Sequence, residues 1–155
     1  MNLNNTLDAK YEIKDMGEFY GSYYGQLGLE LPADELYILT NDTIEECTTY
    51  NYEKQKEGKV YDGYISSAKY DIYLSGATPI IDIKNPNAKT NKELLLFRDS
   101  FGSSLSPLLI ENYSKITLID LRYISSKLLE NYIDFNDQDV LFLYSVVVLN
   151  QNALK

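Results

Sequence analysis

The chain has 155 residues, of which 45% are hydrophobic and 24% are charged, a composition typical of a globular chain with a core and not of a disordered or fibrous one. Its 23 acidic and 14 basic residues give a net charge of -9, so its surface repels phosphate backbones and we expect no nucleic-acid partner. The absence of histidine and the presence of only one cysteine, Cys47, exclude an internal disulfide and the usual zinc sites.

Neither a membrane span nor a targeting signal is expected in this chain. No apolar stretch approaches the roughly 20 residues that a spanning helix needs. Residues 1–5 also lack the basic and then apolar pattern of a signal peptide. We likewise predict no metal, because the acidic residues lack calcium-loop spacing, and no cofactor, because no glycine-rich phosphate loop is present.

The first half of the chain, residues 1–91, has the pattern of a β-rich region. Alternating polar and apolar residues, interrupted by turn residues, predict strands at 6–13, 35–39, 45–52 and 59–62, with turns at 41–42 and 57–58. A short helix is expected at 64–71. Alternation around Cys47 favours a half-buried small residue over a reactive thiol. The 15 tyrosines fit either packing on strands or stacking on sugars, and we favour packing.

Residues 92–155 change to an alternation of strands and helices. Apolar runs at 94–97, 115–121 and 139–148 predict buried strands, and residues 103–113 and 125–132 predict helices. Strands without polar alternation that are joined by helices belong to a parallel sheet covered on both faces. The fold class we predict is α/β, a partial doubly wound, mainly parallel sheet flanked by helices, in a single domain spanning residues 1–155.

Polar residues follow each of these predicted strands. Asp99 and Ser100 come after the first, Arg122 after the second, and Ser145 lies near the end of the third. Ligands of open α/β sheets bind at the carboxyl ends of the strands, and these ends share one edge of the sheet. The sequence therefore predicts one crevice lined by these residues.

Ser100 stands where a buried strand meets the start of a helix. Such a serine is either a helix N-cap or a nucleophile whose oxyanion is held by the backbone N–H groups that follow it. A serine hydroxyl needs a base, usually imidazole, and this chain has none. The base of any such site must therefore come from outside these residues.

Asp99 and Arg122, the charged residues predicted to share this crevice with Ser100, each have two interpretations. Asp99 is expected to bond turn amides more than to orient a catalytic group. Arg122 follows Asp120 at the end of a buried strand, where a guanidinium must be paired or must face a ligand. An ion pair with Asp120 or Asp99 and substrate positioning both fit, and we assign Arg122 to substrate positioning.

Several segments resemble the C-terminal part of the bacterial DHHW family. They are FYG at 19–21, YLSGATP at 73–79, LLLFRDSF at 94–101, SPLL at 106–109, ITLIDLRY at 116–123 and DVLFLY at 139–144. That family is named for an Asp-His-His-Trp motif upstream of this region and is similar to the SGNH-like domains of alginate O-acetyltransferases. The resemblance implies a three-layer SGNH-like fold, of which this chain is the C-terminal portion, and export to the cell surface.

By this resemblance, Ser100 is the nucleophile of a Ser-His-Asp triad whose histidine and aspartate belong to the named motif. This chain contains neither, and it has Ser75-Gly76-Ala77 where relatives often carry Gly-Gly-Asn. We expect the intact protein to hydrolyse or transfer acyl esters on cell-surface glycans and this chain alone to be inactive. The alternative is a non-catalytic glycan-binding or assembly module. An exposed sheet edge is expected to form homo-oligomers.

Overall fold

A computed structural model of the chain describes residues 9–21, 24, 30–61, 69–150 and 154. The chain forms two compact units, residues 1–41 and residues 42–155. In the first unit, β1 (Glu12–Phe19) pairs antiparallel with β2 (Asp34–Thr40). The strand predicted at 35–39 is confirmed. Of the strand predicted at 6–13, residues 6–8 lie outside the described residues, residues 9–11 are not in a strand, and β1 begins at Glu12.

The second unit is built on a sheet of six strands. Their order is β4-β3-β5-β7-β6-β8, where the strands are β3 (Thr48–Asn51), β4 (Lys56–Lys59), β5 (Ile80–Lys84), β6 (Glu93–Arg98), β7 (Lys115–Ile119) and β8 (Asp139–Leu143). Its described α-helices are α1 (Asp42–Glu46), α2 (Phe101–Leu109) and α3 (Val146–Asn150). Short 3₁₀ helices occupy Lys69–Ile72, Ile110–Asn112 and Ser126–Asn131.

The sheet is mixed, so the α/β class is confirmed while the expectation of a mainly parallel sheet is wrong for half of the strands. β6 pairs parallel with both β7 and β8, whereas β3, β4 and β5 join the sheet through antiparallel pairs. The buried strand β5, Ile80–Lys84, has the same apolar character as the parallel strands. Local sequence therefore does not reveal its direction, which depends on the connections at its ends.

Three local predictions need correction. The strand expected at 45–52 is divided into α1 and β3, and the turn expected at 57–58 lies at 52–55 instead. Gly58 is a strand residue, and a Cβ there would lie 3.1 Å from Thr49 Oγ1, so its glycine serves close packing. The third predicted strand ends at Leu143 and is followed by α3. The helix expected at 64–71 lies mostly outside the described residues.

The core lies on both faces of the parallel strands. On one face, the helix over Ser126–Asn131 and the residues after it cover a cluster of buried side chains, namely Ile80, Leu95, Phe97, Ile119, Leu129 and Ile133. On the other face, α2 packs against β6. Among the described residues, no helix is long and apolar enough to cross a membrane.

Candidate functional site

The carboxyl ends of three parallel strands meet at one edge of the sheet, as the sequence predicts. β6 lies between β7 and β8, with Leu96 opposite both Leu118 and Leu141. The edge also receives the amino end of antiparallel β5, because Ile80 pairs with Ile119. This arrangement places residues 99–100, 120–122 and 144–145 and the turn before β5 around the same edge.

Ser100 is exposed and precedes the first turn of α2. It occupies the N-cap position, but its side chain makes no capping hydrogen bond. Asp99 Oδ1 caps the helix instead by accepting from the Phe101 N–H at 3.0 Å. The Ser100 hydroxyl is therefore not occupied as a structural cap, and the residue is exposed.

The backbone N–H groups after Ser100 are not free, contrary to the expectation that they hold an oxyanion. The Phe101 N–H donates to Asp99 Oδ1, the Gly102 N–H donates to the Asp99 carbonyl at 3.1 Å, and the Ser103 N–H donates to the Ser100 carbonyl at 3.1 Å. The first turn satisfies its own donors because it tightens toward 3₁₀ bonding. Donors for an oxyanion must come from other groups.

Asp99 joins two strand ends. It is 1% exposed, and while its Oδ1 caps α2, its Oδ2 accepts from the Ser145 N–H at 2.7 Å. Its own N–H donates to the Leu143 carbonyl at 3.3 Å. Both carboxylate oxygens thus bond backbone amides, which is the structural arrangement that the sequence favours for this residue.

Arg122 makes a two-point ion pair with Asp120. Its Nε lies 2.9 Å from Oδ1 and its Nη2 lies 2.6 Å from Oδ2 of that fully buried carboxylate. The hydrogen bonds to Asp120 raise the pKa of the Arg122 guanidinium. The side chain remains 24% exposed and its guanidinium carbon lies 5.4 Å from the centre of the Tyr123 ring. Arg122 is therefore anchored by Asp120 with one side still open to solvent.

Arg98 is a further member of this cluster, which the sequence did not assign to the site. It is 1% exposed, and its Nη1 lies 3.6 Å from Asp120 Oδ2 and 3.4 Å from the Asp99 carbonyl. Within the described part of the chain its Nε and Nη2 have no hydrogen-bond partner. Burial lowers its pKa and Asp120 opposes that shift. The signal for this residue was its place at the end of an apolar strand beside Asp99.

Tyr70 is a contact of Ser100 that the sequence did not indicate. Its hydroxyl lies 3.0 Å from the Ser100 carbonyl and 3.1 Å from Ser104 Oγ. It belongs to the 3₁₀ helix Lys69–Ile72, thirty residues before Ser100. No local pattern marks a contact of this kind, because it depends on how the connection before β5 folds over α2.

The turn before β5 has three consecutive residues with positive φ, Leu74 at 58°, Ser75 at 59° and Gly76 at 87°. This conformation costs energy for residues with a side chain, and it is often found near functional sites. A Cβ on Gly76 would lie 2.8 Å from Asp71 Oδ1, and this contact together with the positive φ favours glycine there. The exposed Ala77 follows and carries no polar side chain.

Two surface clefts lie elsewhere on the sheet. One of about 580 Å³ is lined by residues 90–93 and 136–139, and one of about 610 Å³ is lined by Thr48, Lys84, Asn85, Pro86, Glu93, Ser114 and Lys115. Both adjoin the amino ends of the parallel strands, opposite Ser100. They therefore do not belong to the candidate site.

The fold is shared with solved proteins about twice as long. The chain superposes with a TM-score of 0.69 and 22% identity on a DHHW family protein from Eubacterium siraeum, and 94% of this chain covers 50% of that one. It superposes on Bacillus cereus PatB1 carrying a sulfonyl adduct with a TM-score of 0.62 and 20% identity, and 94% of this chain covers 48% of that one. A second structure of Bacillus cereus PatB1 gives a TM-score of 0.58 and 20% identity, and 94% of this chain covers 50% of that one.

No curated protein matches the chain. The chain spans about half the length of the solved proteins that share its fold. The family model described as DHHW protein matches residues 2–119, a stretch that includes Ser100 and ends at the last residue of β7. The chain therefore belongs to the DHHW family.

Proposed function

We propose that this chain is the nucleophile-bearing part of an SGNH-like enzyme that hydrolyses or transfers acyl esters, with O-acetyl groups on cell-surface glycans as the substrate. The observation that carries the proposal is Ser100 itself, an exposed residue at the carboxyl edge of three parallel strands whose side chain makes no capping hydrogen bond. A serine that is not needed as a cap, at this position of an α/β sheet, is suited to attack a substrate.

In the proposed reaction, Ser100 Oγ attacks the ester carbonyl carbon while a base removes the hydroxyl proton. The tetrahedral intermediate collapses, the bond to the alcohol oxygen breaks, and the protonated base returns its proton to that oxygen. The base then removes a proton from water or from a glycan hydroxyl, the oxygen of that acceptor attacks the acyl carbon, the bond to Ser100 Oγ breaks, and Oγ receives the proton back from the base. No histidine occurs anywhere in the sequence, so the base must be supplied by residues outside it and the chain alone is expected to be inactive.

Arg122 is the residue we assign to substrate positioning. Asp120 fixes two of its nitrogens, and its partial exposure leaves the guanidinium able to bond an ester or sugar oxygen. The Tyr70 hydroxyl holds the Ser100 backbone by donating a hydrogen bond to its carbonyl oxygen. The oxyanion needs donors other than the N–H groups of residues 101–103, and the side-chain donor common in relatives is replaced by Ala77.

PatB1, a protein of the same fold, has been solved with a sulfonyl adduct. Sulfonyl reagents attach to nucleophilic oxygen atoms. We therefore propose that such a reagent modifies this chain at Ser100 Oγ. The test is treatment of the chain with phenylmethanesulfonyl fluoride in the presence of imidazole as an external base, followed by peptide mapping by mass spectrometry. Ser100 is expected to carry the adduct.

Matched variants make this test specific. Ser100→Ala is expected to lose the adduct, and Ser126→Ala, which changes another exposed serine at the start of a helix, is expected to keep it. Turnover of p-nitrophenyl acetate that depends on Ser100 without imidazole would show that the chain holds its own base. Modification spread over many serines would contradict the role of Ser100.

The rival proposal is a glycan-binding or assembly module that retains the fold. Its support is the lack of histidine and the replacement of the amide donor by Ala77. The described tyrosines give this proposal less support, because pairs such as Tyr50 with Tyr52 and Tyr61 with Tyr73 pack edge to face on each other and not on a ligand. Saturable binding of acetylated glycan fragments that survives Ser100→Ala, together with absence of labelling, would favour this module.

A further inference from the structure

The two clefts at the amino ends of the parallel strands lie at the opposite end of the sheet from Ser100. The first cleft, of about 580 Å³, lies between residues 90–93 and residues 136–139, and the second, of about 610 Å³, lies along residues 84–86 and 114–115. Glu93 lines both, so the clefts adjoin each other at the start of β6. Each falls within the range of about 300–1,000 Å³ that is usual for ligand sites.

The walls of the first cleft are fixed by hydrogen bonds of their own. On one side, Gln138 Oε1 accepts from the Asn136 N–H at 2.7 Å and Gln138 Nε2 donates to the Asp134 carbonyl at 2.9 Å. On the other side, the Lys92 carbonyl accepts from the Ser114 N–H at 2.8 Å and from the Ser114 hydroxyl at 2.9 Å. The cleft therefore has its shape before a ligand arrives, which lowers the cost of binding.

Several side chains of the first cleft keep their polar atoms available. The Asn91 amide, the Lys92 ammonium group and the Asp137 carboxylate make no hydrogen bond or ion pair within the part of the chain that the structure describes. An amide both donates and accepts hydrogen bonds, an ammonium group donates, and a carboxylate accepts. The cleft thus offers both donors and acceptors to a single ligand.

The charges along the two clefts cancel, which narrows the class of ligand. The lining includes three lysines and three carboxylates, namely Lys84, Lys92, Lys115, Glu93, Asp137 and Asp139, in a chain whose net charge is -9. A polyanion would meet the carboxylates, and an apolar ligand would leave the polar lining unpaired. Among the described residues, no three carboxylate or thiol side chains are grouped to hold a metal ion. An uncharged ligand rich in hydroxyl and amide groups fits this lining.

We propose that the two adjoining clefts bind a neutral oligosaccharide at a second glycan site, separate from the site of Ser100. Sugar hydroxyl groups donate and accept together, which matches the available groups of the first cleft. The second cleft continues this surface past Glu93, so there is room for more than one sugar unit. At about 3.3 Å per strand residue, the clefts lie roughly 20 Å from Ser100. Binding at the clefts does not rest on the proposed function, whereas holding a polymer for reaction at Ser100 does.

The test is titration of the isotope-labelled chain with tetrasaccharides, followed by NMR of its backbone amides. Tetramers of N-acetylglucosamine and of glucose are the neutral probes, and a tetramer of galacturonic acid is the anionic probe. Saturable shifts at residues 90–93 and 136–139 are expected with at least one neutral probe. The anionic probe is expected to bind these residues more weakly, because its carboxylates meet those of the lining.

Two matched pairs of variants locate the binding. Asn91→Ala and Asp137→Ala should each raise the Kd at least about fivefold, because each removes hydrogen-bonding atoms from the first cleft. Asn150→Ala and Glu130→Ala remove the same kinds of group from exposed residues that line neither cleft, and they should leave the Kd unchanged. Asn91 and Asp137 are exposed, so both variants are expected to fold, which circular dichroism verifies.

Ser100→Ala separates this inference from the proposed function and should bind the oligosaccharide as the parent does. The inference would be overturned by shifts confined to residues 99–100 and 120–123, by no shifts with either neutral probe, by equal effects within the matched pairs, or by tighter binding of the anionic probe. Binding at the clefts by a chain whose Ser100 is not labelled by the sulfonyl reagent would count against the proposed function alone.

Discussion

At the scale of single residues, the site depends on carboxylates that organise the backbone. Asp99 bonds the amides of Phe101 and Ser145, and Asp120 holds Arg122 while lying near Arg98. These contacts free Ser100 from capping the helix. The sequence indicated a structural role for Asp99 and offered Asp120 as a partner of Arg122, because an arginine at the end of a buried strand needs an anion.

Cys47 provides a test of burial. It is 0% exposed, its Sγ lies 3.1 Å from the Thr43 carbonyl oxygen, and burial raises its pKa to about 12. At pH 8 only about one thiol in ten thousand is then ionised, and the thiolate is the reactive form. We expect Ellman's reagent to react slowly with the folded chain and at once in guanidinium chloride. Rapid reaction of the folded chain at pH 8 would contradict the burial.

Gly102 lets α2 approach the strand that carries Ser100. A Cβ at this position would lie 2.5 Å from Arg98 Cβ, closer than real side chains allow. We expect Gly102→Ala to lower the free energy of unfolding by about 1–3 kcal/mol through overpacking. Gly21→Ala is the control, because nothing lies within 4 Å of its new Cβ. Urea unfolding monitored by circular dichroism measures both, and equal effects would argue against this contact.

At the scale of elements, a polar network crosses the centre of the sheet. Asp82 of β5 is 4% exposed and accepts hydrogen bonds from Tyr52 at 3.0 Å and from Thr117 of β7 at 2.7 Å. Burial and the neighbouring carboxylate raise the pKa of Tyr52 to about 12. A buried carboxylate needs such donors, so the network links the antiparallel and parallel parts of the sheet.

Tyr52→Phe removes one donor and should lower the free energy of unfolding by about 1–3 kcal/mol at pH 7. Because the pKa is raised in the folded state, the stability that Tyr52 contributes is complete below its ordinary pKa near 10 and is lost as the pH rises to about 12. The difference between the parent and the variant should therefore shrink between pH 10 and 12. Tyr50→Phe, which changes a tyrosine of β3 two residues before Tyr52, serves as the control, and a constant difference would contradict this account.

The sequence predicted elements best where patterns were local and strong. Apolar runs located β6, β7 and β8, and the predicted parallel pairing of the first two is confirmed. It did not predict the direction of β5, since a buried strand is apolar whichever way it runs. It also missed Tyr70 against Ser100, because contacts between distant segments have no periodicity. The role of Ser100 as nucleophile stays a prediction.

At the scale of the whole molecule, net charge opposes the apolar surface formed by β8 and α3. The chain carries -9 at pH 7 and has a pI of about 4.5, whereas the only charged residue within β8 and α3 is Asp139. Repulsion between copies is long-ranged at low salt and vanishes near the pI. Attraction through apolar side chains does not depend on pH in this way.

We therefore expect weak self-association of the isolated chain that strengthens as the pH falls from 8 toward 4.5, and also at pH 8 when salt is raised to about 1 M, where screening shortens to about 3 Å. Sedimentation velocity over a range of concentrations measures it. Val147→Lys should weaken the association at both pH values, whereas Ile13→Lys changes the net charge equally and should leave it near the parent level. If the two variants behaved alike, net charge would control association, and the β8–α3 surface would not be the place where copies of the chain associate.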